Sequence, residues 1–98
     1  MPIAEISVVP IGTESTGVSS YVRAALKIVE ENDLEYEVGP MGTSVEGELD
    51  AIFAVVRAIH EELAKMGCNR VLTTIRIDDR RDKFQTMAGK KAAVLDEV

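Results

Sequence analysis

A chain of 98 residues, 46% of them hydrophobic and 29% charged, has the size and composition of a single globular domain spanning residues 1–98. Its net charge of −6 argues against binding a phosphate backbone, which depends on Lys and Arg, and no apolar run approaches the roughly 20 residues of a membrane helix. The single cysteine, Cys68, excludes an internal disulfide and has no Cys-x-x-Cys companion, and the opening Met1-Pro2-Ile3-Ala4-Glu5 lacks a secretion signal's basic-then-apolar pattern, so a cytoplasmic protein is expected.

In chain order, residues 4–11 are rich in Ile and Val and read as a strand, with Pro10 marking its end as a place where a central strand cannot continue. Residues 12–17 make a loop in which Thr16 is placed to cap a helix, and Gly17 and Val18 lead into it. The apolar positions Val18, Val22, Ala25, Leu26 and Val29 follow the helical period, and Asn32 stands at or just past the helix end. Residues 35–39 alternate as a second strand with Tyr36 and Val38 on one face. Gly39, Pro40 and Gly42 then turn the chain into a short third strand over residues 43–46, antiparallel to the second.

A second helix is predicted from about Glu48 to Met66, where Gly67 stops it. Its stripe is Leu49, Ile52, Phe53, Val56, Ile59, His60 and Leu63, from which Phe53, Val56 and Leu63 are expected in the core. His60 borders that stripe with no second His or Cys at a ligand spacing, so it reads as a packed or hydrogen-bonded histidine. Residues 70–79 form a fourth strand. Arg76, Arg80, Arg81 and Lys83, interleaved with Asp78, Asp79 and Asp82, read as a solvated turn with local ion pairs. Thr86 is placed to cap a last short helix carrying Met87, Val94 and Leu95.

Strand, helix, strand, strand, helix, strand is the α+β, ferredoxin-like βαββαβ order: a four-stranded antiparallel sheet in spatial order 4-1-3-2, both helices on one face, and an appended C-terminal helix. Period-two alternation then sends Ala4, Ile6, Val8, Val71, Thr73, Ile75 and Ile77 toward the helices. Glu5, Ser7, Val9, Ile11, Ser44, Glu46, Leu72, Thr74 and Arg76 go to the opposite face, if the register holds. That face would cluster Ser7, Glu46, Thr74 and Arg76 and expose Val9, Ile11 and Leu72, an apolar patch that a second subunit or a ligand is expected to cover.

Four segments carry a resemblance. They are Val9-Pro10-Ile11-Gly12, Val18-Ser19-x-Tyr21-Val22, Gly39-Pro40-Met41-Gly42-Thr43-Ser44-Val45-Glu46-Gly47, and Arg70-Val71-x-x-Thr74-Ile75-x-Ile77-Asp78-x-Arg80. Together they cover almost the whole chain, which resembles the small thiamine-binding-protein family of YkoF-like domains. The resemblance implies a ferredoxin-like subunit in homodimers and commonly homotetramers, binding thiamine or its hydroxymethylpyrimidine moiety without turnover; separately, no cofactor is expected, and a metal-carrier role fails for want of a paired-cysteine loop. It implies Thr43, Ser44 and Glu46 as ligand contacts; alternation adds Ser7 and Thr74. An aminopyrimidine asks for an acceptor opposite its amine, which Glu46 can supply, and donors for its ring nitrogens, which the Thr and Ser hydroxyls can supply. The cationic thiazolium suits an acidic protein with Glu5 or Glu46 near the site. Neither point identifies thiamine without the resemblance.

A small hydrolase on the same fold is an alternative, since fold does not decide function, but no Cys-His or Ser-His-Asp spacing stands out and the loop at 12–17 has no Arg for an acyl phosphate. A structural or regulatory interaction protein is a further one. RNA binding through the sheet needs aromatic residues on the central strands, and strands one and three contain none.

Overall fold

The computed structural model describes residues 1–12 and 19–95. The elements run β1 (Ile3–Pro10), α1 (Ser19–Glu31), β2 (Glu35–Val38), β3 (Thr43–Glu46), α2 (Leu49–Lys65), β4 (Val71–Asp78) and α3 (Met87–Leu95). The four strands form one antiparallel sheet in the order β2-β3-β1-β4, which is the ferredoxin-like arrangement read from the sequence. The expected cap at Thr16 and the lead-in through Gly17 and Val18 lie outside the described residues.

Local chemistry ends the helices where the sequence places the stops. Asn32 closes α1 by donating from its side-chain amide to the Ile28 carbonyl at 2.7 Å, and Asp33 takes the left-handed turn that follows, at φ 55°. Gly67, at φ 94°, allows the Gly67 and Cys68 N–H groups to reach back to the Ala64 and Leu63 carbonyls, each at 3.0 Å, which satisfies the last turn of α2. Thr86 caps α3 by accepting from the Gly89 N–H at 2.9 Å.

The register sorts the sheet as alternation demands. Glu5 pairs with both Ser44 and Arg76, Ser7 with Thr74, and Val9 with Leu72, so these residues share the face away from α1 and α2. The core lies on the other face, where Ala4, Ile6 and Val45 of the sheet pack with Val29 of α1 and with Ile52, Val55, Ile59 and Leu63 of α2. His60 and Thr73 are hydrogen-bonded, Nε2 to Oγ1 at 2.6 Å, which ties α2 to β4. Cys68 is half-buried against the same core.

One core assignment is corrected. Leu63 is buried as expected, but Val56 is only half-buried, Phe53 is 51% exposed and Val55 takes the buried place. Phe53 lies roughly 100° round the helix from Ile52, on the flank that includes His60 and faces β4. Because β4 is the edge strand of the sheet, no further strand among the described residues covers that flank. Val55, on the other flank, is fully buried in the core cluster that also holds Val29 of α1.

Helix α3 reduces the open area of the second sheet face. It contributes no buried residue, and it is tied to the strands by Lys90 to Asp78 and by Lys91 Nζ to Glu37 Oε1 at 2.7 Å. A groove between α3 and the sheet is lined by Glu35, Glu37 and Glu46 on one side and by Met87, Ala92 and Leu95 on the other. Beyond α3, Val9 and Leu72 remain exposed side by side, Leu72 at 58%. The Arg-Asp segment is the expected solvated turn, with Arg80 on Asp82 at 2.7 Å and Arg81 on Asp79 at 2.8 Å.

Candidate functional site: a cavity beside an incomplete strand pair

Strand β1 has eight residues and β3 has four, and this mismatch leaves a cavity beside β1. The β1–β3 ladder runs from Ile3↔Glu46 to Ile6↔Thr43 and stops there, because the chain before Thr43 turns away into the β2–β3 connection. That turn is closed by the Gly39 N–H donating to the Gly42 carbonyl at 2.8 Å. Gly42 comes so close to β1 that a Cβ there would stand 3.0 Å from the Ile6 carbonyl oxygen, a tight contact that a glycine avoids. Past Ile6, β1 continues beside β4 but, among the described residues, has no strand on its other edge.

The space left over is a cavity of about 300 Å³, at the small end of the range of roughly 300–1,000 Å³ for small-molecule sites. One wall is the consecutive run from Ile6 to Val9, the opposite wall is residues 38–43, and α1 closes it with Tyr21, Val22, Ala25 and Leu26. Among the described residues no charged residue lines it; the hydroxyl-bearing residues at its wall are Tyr21 and Thr43, with Ser7 on the β1 edge. Met41 stands at this wall 83% exposed, an apolar side chain held in solvent at the cavity's edge.

The five residues singled out in the sequence divide between two faces. Thr43, opposite Ile6 and Val38, is on the helix side and lines the cavity. Ser7 contributes to the cavity wall and pairs with Thr74 across β1 and β4. Ser44 and Glu46, one and three residues beyond Thr43, alternate onto the open face. There Ser44 is opposite Glu5, and Glu46 is opposite Ile3 and Glu35. Glu46 lines the groove under α3, and Thr74 is exposed next to Arg76, whose guanidinium lies 3.4 Å from Glu5. The sheet therefore separates Thr43 from Ser44 and Glu46.

The other glycine of the motif has a packing role. A Cβ on Gly47 would stand 2.5 Å from Leu34 Cδ2, so a glycine here lets Leu34 settle where β3 leaves the sheet for α2. Tyr21, Met41 and the β1 edge at Val8 were not singled out from the sequence. Tyr21 and Met41 stood in the segments that carry the resemblance; the β1 edge had a signal only in the unequal lengths of the first and third strands.

Electrostatic perturbation lies away from the cavity. Asp78 is held below the usual carboxylate range chiefly by the hydrogen bond from Lys90, and Asp82 by that from Arg80. Among the described residues no three His, Cys, Asp or Glu side chains are grouped to hold a metal ion, and no helix is long and apolar enough to cross a membrane.

Comparison with known proteins gives a consistent assignment. The family model described as thiamine-binding protein matches residues 4–95. A UPF0045 protein of Bacillus subtilis is 48% identical, covering 96% of this chain and 94% of its own, and one from Methanothermobacter thermautotrophicus is 41% identical over the full length of both. Among solved structures, a hypothetical protein of Methanocaldococcus jannaschii superposes with a TM-score of 0.86 at 33% identity, covering 99% of this chain and 97% of its own. A Thermotoga maritima protein, described as a candidate for thiamine biosynthesis or salvage, superposes with a TM-score of 0.82 at 26% identity, covering 95% and 97%.

Proposed function

The chain belongs to the thiamine-binding protein family, and from that premise we propose that it binds a thiamine-type aminopyrimidine, without turning it over, in the cavity between β1, α1 and the β2–β3 turn. The observation that carries the reading is the chemistry of that cavity: apolar, uncharged and bordered by the Gly39-to-Gly47 motif. A neutral pyrimidine ring matches such walls, with the Thr43 and Tyr21 hydroxyls and Ser7 available to orient it. A cationic thiazolium would stay at the mouth, where a chain of net charge −6 favours it.

In this reading the working form is a cytoplasmic homo-oligomer, a dimer or tetramer. The exposed Val9 and Leu72 pair supports a second copy packing against the open face. Ser44, Glu46 and Thr74 belong to that face, and a ligand would meet them only from that side.

Calorimetric titration of thiamine and of 4-amino-5-hydroxymethyl-2-methylpyrimidine tests the proposal. Thr43→Val should weaken binding by roughly 2- to 10-fold, the worth of one hydrogen bond, while Glu46→Gln leaves it unchanged. A loss of about tenfold or more confined to Glu46→Gln would move the site to the groove under α3. No binding of either compound to the wild type would remove the ligand assignment, and a monomer in light scattering would remove the oligomer.

A further inference from the structure

The wall of the cavity formed by residues 6–9 includes four consecutive residues of one strand. Side chains of a strand alternate between faces, so a single face cannot supply four in a row; the cavity meets the edge of β1, where the backbone is exposed. Which backbone groups point there follows from the ladder. In an antiparallel pair alternate residues exchange hydrogen bonds with the strand on one side, and the intervening residues bond to the other side.

Two hydrogen bonds fix the phase. The Gly47 N–H donates to the Pro2 carbonyl at 3.1 Å, extending the β1–β3 ladder by one pair, so Pro2, Ala4 and Ile6 direct their backbone groups toward β3. The Ile11 N–H donates to the Arg70 carbonyl at 2.9 Å, so the odd-numbered residues serve β4. Val8 is the next member of the even series. Its N–H and C=O point to the side where β3 has ended, and among the described residues no backbone group bonds them. Pro10, next in the series, has no N–H to leave unpaired on that side, which explains how a proline fits a strand whose other edge is fully paired to β4.

We infer that the Val8 N–H and C=O form a ligand subsite in this cavity, recognising the edge of a planar heterocycle that presents a ring nitrogen beside an exocyclic amine. The Val8 N–H donates to the ring nitrogen and the Val8 carbonyl accepts from the amine, so the ligand supplies the acceptor and donor that a residue of a longer β3 would have supplied. A backbone pair is suited to this task because it is uncharged, fixed by the β4 ladder on the far edge, and shielded by the apolar walls, where an unpaired polar group is costly. The inference rests on the reading that this cavity takes an aminopyrimidine, and it gives the amine a partner other than Glu46, which lines the groove under α3.

The test uses isotope-labelled wild-type protein titrated with 4-amino-5-hydroxymethyl-2-methylpyrimidine and with its 4-oxo counterpart, in which carbonyl and ring N–H reverse the donor–acceptor order. The Val8 amide resonance should move downfield and its exchange slow by about tenfold or more with the amino compound, and the oxo compound should bind at least about tenfold more weakly. Equal affinities, or binding of the amino compound with the Val8 amide unchanged, would overturn the subsite while leaving the cavity's ligand in place. Failure of the amino compound to bind would overturn both. Val8→Pro adds a second reading, because the one backbone hydrogen-bonding group it removes is the N–H on the cavity side; with thermal unfolding confirming the fold after the change of side chain, it should weaken the amino compound by roughly 2- to 10-fold, and unchanged affinity would overturn the subsite. The wild-type resonances decide the matter whether or not that variant folds.

Discussion

The two faces of the sheet are built from the same four strands and have opposite characters. Toward α1 and α2 the strands bury Ala4, Ile6 and Val45 completely or nearly so, and the residues left over enclose an uncharged cavity. On the other face every residue of β4 is exposed, ion pairs such as Arg76–Glu5 lie in solvent, and α3 rests on the strands through Lys90 and Lys91. Stability therefore resides on one face, and the open face is available for association. The difference also shows why a cluster of polar residues in one motif need not be one site: period-two alternation distributes Thr43, Ser44 and Glu46 to both characters.

The contrast can be broken most directly in the core. Ile52→Ala empties a fully buried position between α2 and the sheet and should cost about 2–5 kcal/mol in denaturant unfolding. A loss within about 0.5 kcal/mol, the range of surface substitutions, would mean that the covered face is not where stability lies. Gly47→Ala forces a Cβ against Leu34 and should cost about 1–3 kcal/mol by the same measurement; a cost within about 0.5 kcal/mol would show that Leu34 turns aside freely and that the glycine is not needed there.

Smaller effects sharpen the comparison. Phe53→Ala, on the flank of α2 beyond β4, should cost below about 1 kcal/mol despite removing a phenyl ring. Leu72→Lys should leave unfolding of the monomer nearly unchanged yet dissociate the proposed oligomer in light scattering; an unaltered oligomer would exclude the open face as its interface. The smallest effect concerns the attachment of α3. Lys90 lowers the Asp78 pKa in the folded chain, so this contribution is complete above the ordinary carboxylate range and is lost as pH falls through the lowered value, below about pH 4. Amide exchange in α3 should accelerate there, and in about 1 M salt at neutral pH, while the core amides of α2 keep their protection. Simultaneous loss of both would show that α3 is part of the core unit.

The amino-acid sequence by itself determined the elements and their order, because the signals involved are local. Alternation in the first and fourth strands assigned their faces, Gly67 supplied the left-handed residue that ends α2, and Thr86 supplied the cap for α3. The family was legible in the Gly39-to-Gly47 motif, whose glycines answer to close approaches at Ile6 and Leu34. Alternation across Thr43 to Glu46 was legible too, and it already separates Thr43 from the other two. Tertiary structure alone decided the rest. Which flank of α2 is buried depends on α1 packing against the helix on the side away from β4 and on β4 being the edge strand of the described sheet near Phe53, and a helical period of about 3.6 residues fits either choice. The resting place of α3 depends on Asp78 and Glu37 being brought near Lys90 and Lys91 from distant parts of the chain. The cavity depends on where the β1–β3 ladder stops, a consequence of pairing a long strand with a short one, and neither strand carries that information alone.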